Sequence, residues 1–179
     1  KEDGSESLAH EDPCSGSAAV LCADLHSSGS GNILDIQNGT NLSITGDFYK
    51  GVKMDEDGTG INEFNLNDAT CTVQVAISGT DTYGISMGAD TQNVTENRLT
   101  VYGNPETPTE TKLDVQATLY VLSMVAKYNV ENTKNTILFD GDAAVNLVNM
   151  YQTSSSDAYT GRYAIHYSAR TNDLNILTT

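Results

Sequence analysis

Short runs rich in Thr, Val, Ile and Tyr recur from residue 32 onward, and Gly, Asn or Asp separates them. Runs of this composition are typical of β-strands, and the separating residues are typical of turns. Strands are predicted at 33–36, 42–49, 71–77, 83–87, 98–102, 136–139, 162–168 and 173–177. The chain is therefore predicted to be rich in β-structure.

Two segments are predicted to be helices. Thr107-Pro108-Thr109-Glu110 fits a capping box with Pro at the first helical position, which predicts a long helix over 108–130. Apolar residues also alternate strictly from Leu113 to Val121, so a strand is the rival interpretation. A shorter helix is predicted over 142–152, with Asp142 as its N-cap.

Helices placed late in a strand-rich chain indicate an α+β fold. We expect a mainly antiparallel, β-rich single domain over residues 32–179, with one long and one short helix. No internal repeat at a fixed period is visible. Residues 1–31 combine charged residues with a Ser/Gly run, and they are predicted to form a flexible N-terminal extension.

The three cysteines suggest an oxidising environment. Cys14 and Cys22 lie in a segment rich in Ser and Gly, and a disulfide between them would close a short loop. The alternative is a zinc site in which His10 and His26 join these two cysteines. Cys71 alternates with polar residues in a predicted strand, which favours a buried free thiol.

The formal net charge of −15 excludes several partners. A chain this negative repels nucleic acid and anionic membrane surfaces, so no nucleic-acid partner is expected. No stretch approaches the roughly 20 apolar residues that a spanning helix needs, so no membrane span is expected. The remaining partners are cations, basic proteins, glycans and copies of the chain itself.

The segment after Met54 resembles a calcium-binding loop in part. Asp55, Asp57 and Thr59 occupy alternate ligand positions, and Glu63 supplies a further carboxylate. The usual bidentate Glu at the twelfth position is replaced by Leu66. The alternatives are a weak calcium site, as the one cofactor considered, and a plain acidic turn between strands.

Three N-glycosylation sequons begin at Asn38, Asn41 and Asn93, and they matter if the source glycosylates secreted proteins. His166 lies in a predicted strand, and a small hydrolase built around it is a third hypothesis. No nucleophile, metal-binding or phosphate-binding motif accompanies it, so we expect no enzymatic activity.

The function expected first is a structural subunit of an extracellular assembly, such as a filament, a pilus-like fibre or a virion surface. Its N-terminal extension would contact a neighbouring copy by adding a strand to a sheet edge. The alternative is a secreted glycan- or protein-binding module, in which calcium could assist. Nine tyrosines against three phenylalanines fit such a binding face. Either protein would work outside the cell or on a cell or virion surface.

Overall fold

The computed structural model describes residues 18–24, 31–56, 60–77, 81–88, 95–107, 110–126, 131–150 and 163–177. These residues form fourteen β-strands and no helix. The strands are β1 Ala18–Asp24, β2 Gly31–Gln37, β3 Asn41–Gly46, β4 Lys50–Glu56, β5 Ile61–Asn67, β6 Thr70–Val75, β7 Tyr83–Met87, β8 Glu96–Gly103, β9 Lys112–Ala117, β10 Tyr120–Val125, β11 Lys134–Gly141, β12 Ala144–Asn149, β13 Tyr163–Ser168 and β14 Thr171–Leu177.

Every third strand returns to the same sheet. Sheet A has the order β1-β4-β7-β10-β13, sheet B the order β14-β11-β8-β5-β2, and sheet C the order β12-β9-β6-β3. All pairings within the three sheets are parallel. A chain that visits three parallel sheets in rotation winds as a parallel β-helix, in which each coil contributes one strand to each sheet.

Inward-facing apolar side chains of the three sheets form one continuous core. Equivalent residues of successive coils stack, as in the row Met54–Met87–Met124 of sheet A. Phe64 from sheet B and Leu113 from sheet C complete the centre, and both are fully buried. Because each coil covers the apolar face of the next, the core is a column along the axis of the β-helix.

A ladder of asparagines runs along one corner of the column. Asn32 donates to Asn62 (2.9 Å), Asn62 to Asn97 (3.0 Å), Asn97 to Asn135 (2.9 Å) and Asn135 to Asn172 (2.9 Å), in each case from Nδ2 to Oδ1. Successive members lie 30, 35, 38 and 37 residues apart. The repeat is thus present in space, but loops of unequal length prevent a fixed period in the sequence.

The predicted α+β, mainly antiparallel fold is wrong, because the described residues are all strand and turn and the sheets are parallel. The long helix predicted over 108–130 is replaced by β9 and β10, and the short helix over 142–152 by β12. The alternation beginning at Leu113 is the signal that prevails, since Leu113, Val115 and Ala117 all point into the core. Thr107 is a turn residue whose hydroxyl donates to Asn104 O at 3.0 Å.

All eight predicted strands are confirmed, with shifts at their ends. Sequence reasoning missed β1, β4 and β5 in addition to the three strands assigned to helices. The segment 1–31 assigned to the N-terminal extension contains β1, which pairs with β4. Residues 1–17 and 25–30 lie outside the described part of the chain.

Candidate functional site

The outer face of sheet A carries two rows of polar and aromatic side chains. Residues Lys50, Tyr83, Tyr120 and Tyr163 are in register in the first row, and Lys53, Ser86, Ser123 and His166 are in register in the second. Both rows cross four neighbouring strands at right angles to them. They therefore run along the axis of the β-helix.

A local break in alternation brings both rows to the same face. Gly84 and Ile85 are consecutive, yet both are buried, and the same holds for Val121 and Leu122 one coil later. A side chain on Gly84 would collide with Val115 and with the backbone of Val121. Glycine is therefore required there, and the strand bends so that residues three apart, rather than two apart, share the outer face.

A groove of about 370 Å³ lies between the rows. We call it the tyrosine trough, and its polar lining consists of Lys50, Tyr83, Ser86, Tyr120, Ser123 and His166. Ser86 and Ser123 form its floor and are only 3% and 4% exposed. Lys50 Nζ donates to Ser86 Oγ at 3.3 Å and lies 5.0 Å from the centre of the Tyr83 ring. The trough thus has a cation at one end and hydroxyl groups along its base.

The rings of Tyr83, Tyr120 and His166 line the tyrosine trough, and the rings of Tyr49 and Tyr163 pack beside them. The Tyr49 and Tyr83 rings lie 5.4 Å apart, and those of Tyr83 and Tyr120 lie 5.5 Å apart, edge to face. His166 stacks on Tyr120 at 4.4 Å, with only 9° between the ring planes. Tyr163, the most exposed ring at 47%, stacks on Tyr120 at 6.1 Å. The contacts hold the rings in a fixed row before any ligand arrives.

The phenol of Tyr83 stays protonated over the physiological range. Burial raises its pKa well above the ordinary value of 10.0, and Tyr49, Tyr120 and Asp81 raise it further. A phenol both donates and accepts hydrogen bonds, whereas a phenolate only accepts them. The Tyr83 hydroxyl is therefore neutral, and it forms a hydrogen bond with Tyr49.

Of the trough residues, sequence reasoning singled out His166, and it considered the tyrosines only collectively as a binding face. The structure places His166 beside Tyr120 in the trough and in register with Ser123. A hydrolase built around His166 stays a hypothesis. Regular alternation would place Tyr163 and His166 on opposite faces of the strand, but their rings stack on the same face. A usable signal was present in the recurrence of Tyr-Gly-Ile-Ser-Met at 83–87 as Tyr-Val-Leu-Ser-Met at 120–124.

The predicted disulfide and its zinc alternative stay predictions. Cys14, His10 and His26 lie outside the described residues, and Cys22 is placed on β1 by its backbone alone. Cys71 is free and fully buried, as the sequence indicated. Burial raises the pKa of its thiol from the ordinary value of 9.0 to about 12. An inert thiol results.

The four candidate calcium ligands differ in where the structure places them. Asp55 lies near the end of β4 and Glu63 on β5, in different sheets, whereas Asp57 and Thr59 lie outside the described residues. Glu63 Oε1 forms an ion pair with Arg98 at 2.9 Å. No cluster of three or more His, Cys, Asp or Glu suited to a metal ion occurs within the described ranges. Calcium stays a proposal.

Two of the three sequons lie at exposed positions. Asn38 occupies a turn with positive φ, and Asn41 begins β3 on the other side of the same turn. Asn93 lies outside the described residues. Their glycosylation stays a prediction.

A second, apolar groove of about 360 Å³ lies beside the last strands of sheets B and C. Its lining includes Phe139, Val145, Leu147 and Ile176. Ile176 is in register with Phe139, and the residues of this row face the core in earlier coils. Ile176 itself is 60% exposed. The core column is therefore uncovered at this end of the described structure.

By its fold, the chain is a parallel β-helix protein with a lateral aromatic trough. It matches no protein-family model, no curated protein and no solved structure. No helix able to span a membrane is found among the residues that the structure describes.

Proposed function

We propose that the protein binds an extended carbohydrate chain in the tyrosine trough, as an extracellular binding module. The observation that carries this proposal is a row of aromatic rings beside buried hydroxyls. Sugar rings present apolar C–H faces that pack on aromatic rings, and hydroxyls that pair with Ser, Tyr and Lys groups. A site that combines aromatic walls with a few fixed polar groups is suited to such a ligand.

The dimensions of the tyrosine trough favour an oligosaccharide over a single sugar. The two rows cross β4, β7, β10 and β13. Neighbouring strands lie about 4.8 Å apart, so the rows extend over roughly 15 Å. Because the rows follow the axis of the β-helix, an extended sugar chain would lie across the strands and contact several coils.

Substitution in the middle of the row tests the proposal. Tyr120→Ala removes the ring on which Tyr163 and His166 stack. Loss of one aromatic contact worth about 1–1.5 kcal/mol lowers affinity roughly tenfold. Isothermal titration calorimetry against a panel of neutral and acidic oligosaccharides measures this loss.

Tyr102→Ala is the matched control, because Tyr102 is a half-buried tyrosine on sheet B, away from the trough. The Tyr102→Ala variant should bind the same oligosaccharide with the affinity of the unmodified protein. Equal losses in both variants, or no binding by any member of the panel, would contradict the proposal. The proposed activity is binding without turnover.

Calcium is the proposed assisting cofactor, on the strength of the sequence around Asp57. Repeating the titration in EDTA, and with Asp57→Ala, tests its role. An affinity that is unchanged in both experiments would remove calcium from the proposal.

A structural subunit of an extracellular assembly is the second candidate, and the exposed row on β14 favours it. Leu174 and Ile176 are 46% and 60% exposed, although their partners in β11 face the core. A strand from a second copy, including one from the N-terminal extension, would cover this row and extend the sheet. Repetition of that contact would produce a filament.

Light scattering and negative-stain microscopy separate the two candidates. If copies pair along β14, Ile176→Lys should abolish polymers, because a charge would then lie within the contact. Asn175→Lys is the control, since it adds the same charge to the outer face of the same strand. A protein that stays monomeric at every concentration would refute the assembly.

A further inference from the structure

We infer that the tyrosine trough selects acidic sugars, with a carboxylate bound at the Lys50 end. This inference rests on the proposed function and adds the chemical class of the ligand. A uronic acid unit would place its ring against Tyr83 and its carboxylate beside the two lysines of β4.

Local charge is the first argument for this inference. Acidic residues outnumber basic ones by 24 to 9 in the chain. The two rows of the outer face of sheet A reverse that balance, since they include Lys50 and Lys53 and no carboxylate. At physiological salt the Debye length is about 8 Å, so an anion in the trough interacts mainly with the charges nearest to it. These are the two lysines and, near Tyr83, the carboxylate of Asp81.

The position of the Lys50 amino group is the second argument. Its contacts with Ser86 Oγ and the Tyr83 ring direct Nζ over the floor of the trough. Lys53 occupies the position in register with Ser86 on the same face. A carboxylate above Ser86 would therefore meet Lys50, which is held in place, and Lys53, which lies on the neighbouring strand in the same row as Ser86. This is a favourable setting for charge-assisted hydrogen bonds.

The neutral groups at this end also favour an anion. The hydroxyl of Ser86 accepts from Lys50 and can donate to a carboxylate. The Tyr83 hydroxyl forms a hydrogen bond with Tyr49 and, because it keeps its proton, adds no negative charge. Asp81 is the described carboxylate that acts on Tyr83. It disfavours an anion at the tip of the Tyr83 ring, so the carboxylate is expected on the Lys50 side of the ring.

Paired ligands that differ only in charge test the inference. Oligogalacturonate and alginate oligomers are titrated beside their methyl-esterified forms, which keep the sugar backbone and lose the carboxylates. We expect the acidic form of at least one pair to bind about tenfold more tightly. In Lys50→Gln the preference should fall to about twofold, and Lys50→Arg should retain it.

Lys112→Gln is the matched control, because it removes the same charge from sheet C and leaves the trough unchanged. It should keep the full preference for the acidic ligand. The melting temperature of each variant shows that it is folded, and Lys50→Arg tests the charge where Lys50→Gln does not fold.

The outcomes separate this inference from the function on which it rests. Equal affinity for acidic and esterified ligands, both weakened by Tyr120→Ala, would overturn the inference and leave carbohydrate binding intact. A preference that Lys50→Gln does not reduce, or that Lys112→Gln reduces equally, would also overturn it. Absence of binding to every oligosaccharide would overturn both.

Discussion

The asparagine ladder provides the sharpest test of how this β-helix is stabilised. Asn97 is fully buried in the middle coil and takes part in two rungs. Its Oδ1 accepts from Asn62 Nδ2, and its Nδ2 donates to Asn135 Oδ1. Asn97→Ala removes both hydrogen bonds without adding bulk to the corner of the column.

The expected loss in the free energy of unfolding depends on which hydrogen bonds Asn62 and Asn135 retain in the variant. Asn62 Nδ2 retains a weaker contact with Met54 O at 3.4 Å. Asn135 Oδ1 loses the donor described for it, inside a residue that is 0% exposed. Two hydrogen bonds at about 1 kcal/mol each, and one buried acceptor left unsatisfied at about 1–3 kcal/mol, predict a loss of about 3–5 kcal/mol.

Urea unfolding followed by circular dichroism and tyrosine fluorescence measures this loss, since the chain contains no tryptophan. The control is Asn65→Ala. Asn65 donates to Asp35 at 2.7 Å on the outer face of the same sheet, where water replaces the lost partner. Its substitution should cost less than about 1 kcal/mol.

A double substitution isolates the rung between Asn97 and Asn135. Once Asn97 is alanine, Asn135→Ala no longer removes that hydrogen bond. The double variant should therefore lose about 1–2 kcal/mol less free energy of unfolding than the sum of the losses in the two single variants. If Asn97→Ala costs no more than Asn65→Ala, or if the costs of Asn97→Ala and Asn135→Ala are additive, the hydrogen bonds of the ladder do not stabilise the fold.

Three further outcomes are expected. Gly84→Ala should destabilise the protein by about 2–4 kcal/mol, because its methyl group would collide with Val115. Gly39 lies in open space at φ +77°, so Gly39→Ala should cost only about 1–2 kcal/mol of backbone strain. Thermal unfolding of both variants checks this contrast. Cys71 should react with a thiol reagent at pH 8 only in denaturant, and rapid labelling of the folded protein would disprove its burial. The folded-state pKa of Cys71 is raised from 9.0 to about 12, so its contribution to stability is complete below pH 9 and is lost as pH rises from 9 toward 12. Between pH 9 and 11 the free energy of unfolding should therefore fall by up to about 2 kcal/mol less in Cys71→Ala than in the unmodified protein. Parallel profiles of unfolding free energy against pH in the two proteins would refute this.

Local patterns predicted the strands well where alternation was regular. The inward row of Cys71, Val73 and Val75 was recognised because a polar residue separates each pair. The same logic was available for Leu113 to Ala117, but the proline and glutamate before it also fit a helix start. Local signals could not decide between a helix and a strand. The strand is favoured because its apolar row is buried in a core that other coils of the β-helix form.

The candidate site could not be assembled from the sequence for a related reason. Its members come from successive coils separated by loops of unequal length, so no spacing links Lys50 to Tyr83 or Tyr120. Regular alternation is also interrupted at the bend formed by Gly84 and Ile85, so it cannot predict that Tyr83 and Ser86 share a face. The identity of the trough residues was visible in the sequence, but their common face depends on the parallel register of four strands.

The sequence alone determined the predominance of strands, the buried thiol at Cys71 and the strong negative charge. These properties follow from residue type and from contacts between near neighbours. Tertiary structure alone decided that the strands are parallel, that the asparagines form a ladder and that a lysine and several tyrosines share one trough. Each of those features arises from the pairing of residues about thirty to forty positions apart, and only the winding of the chain brings such residues together.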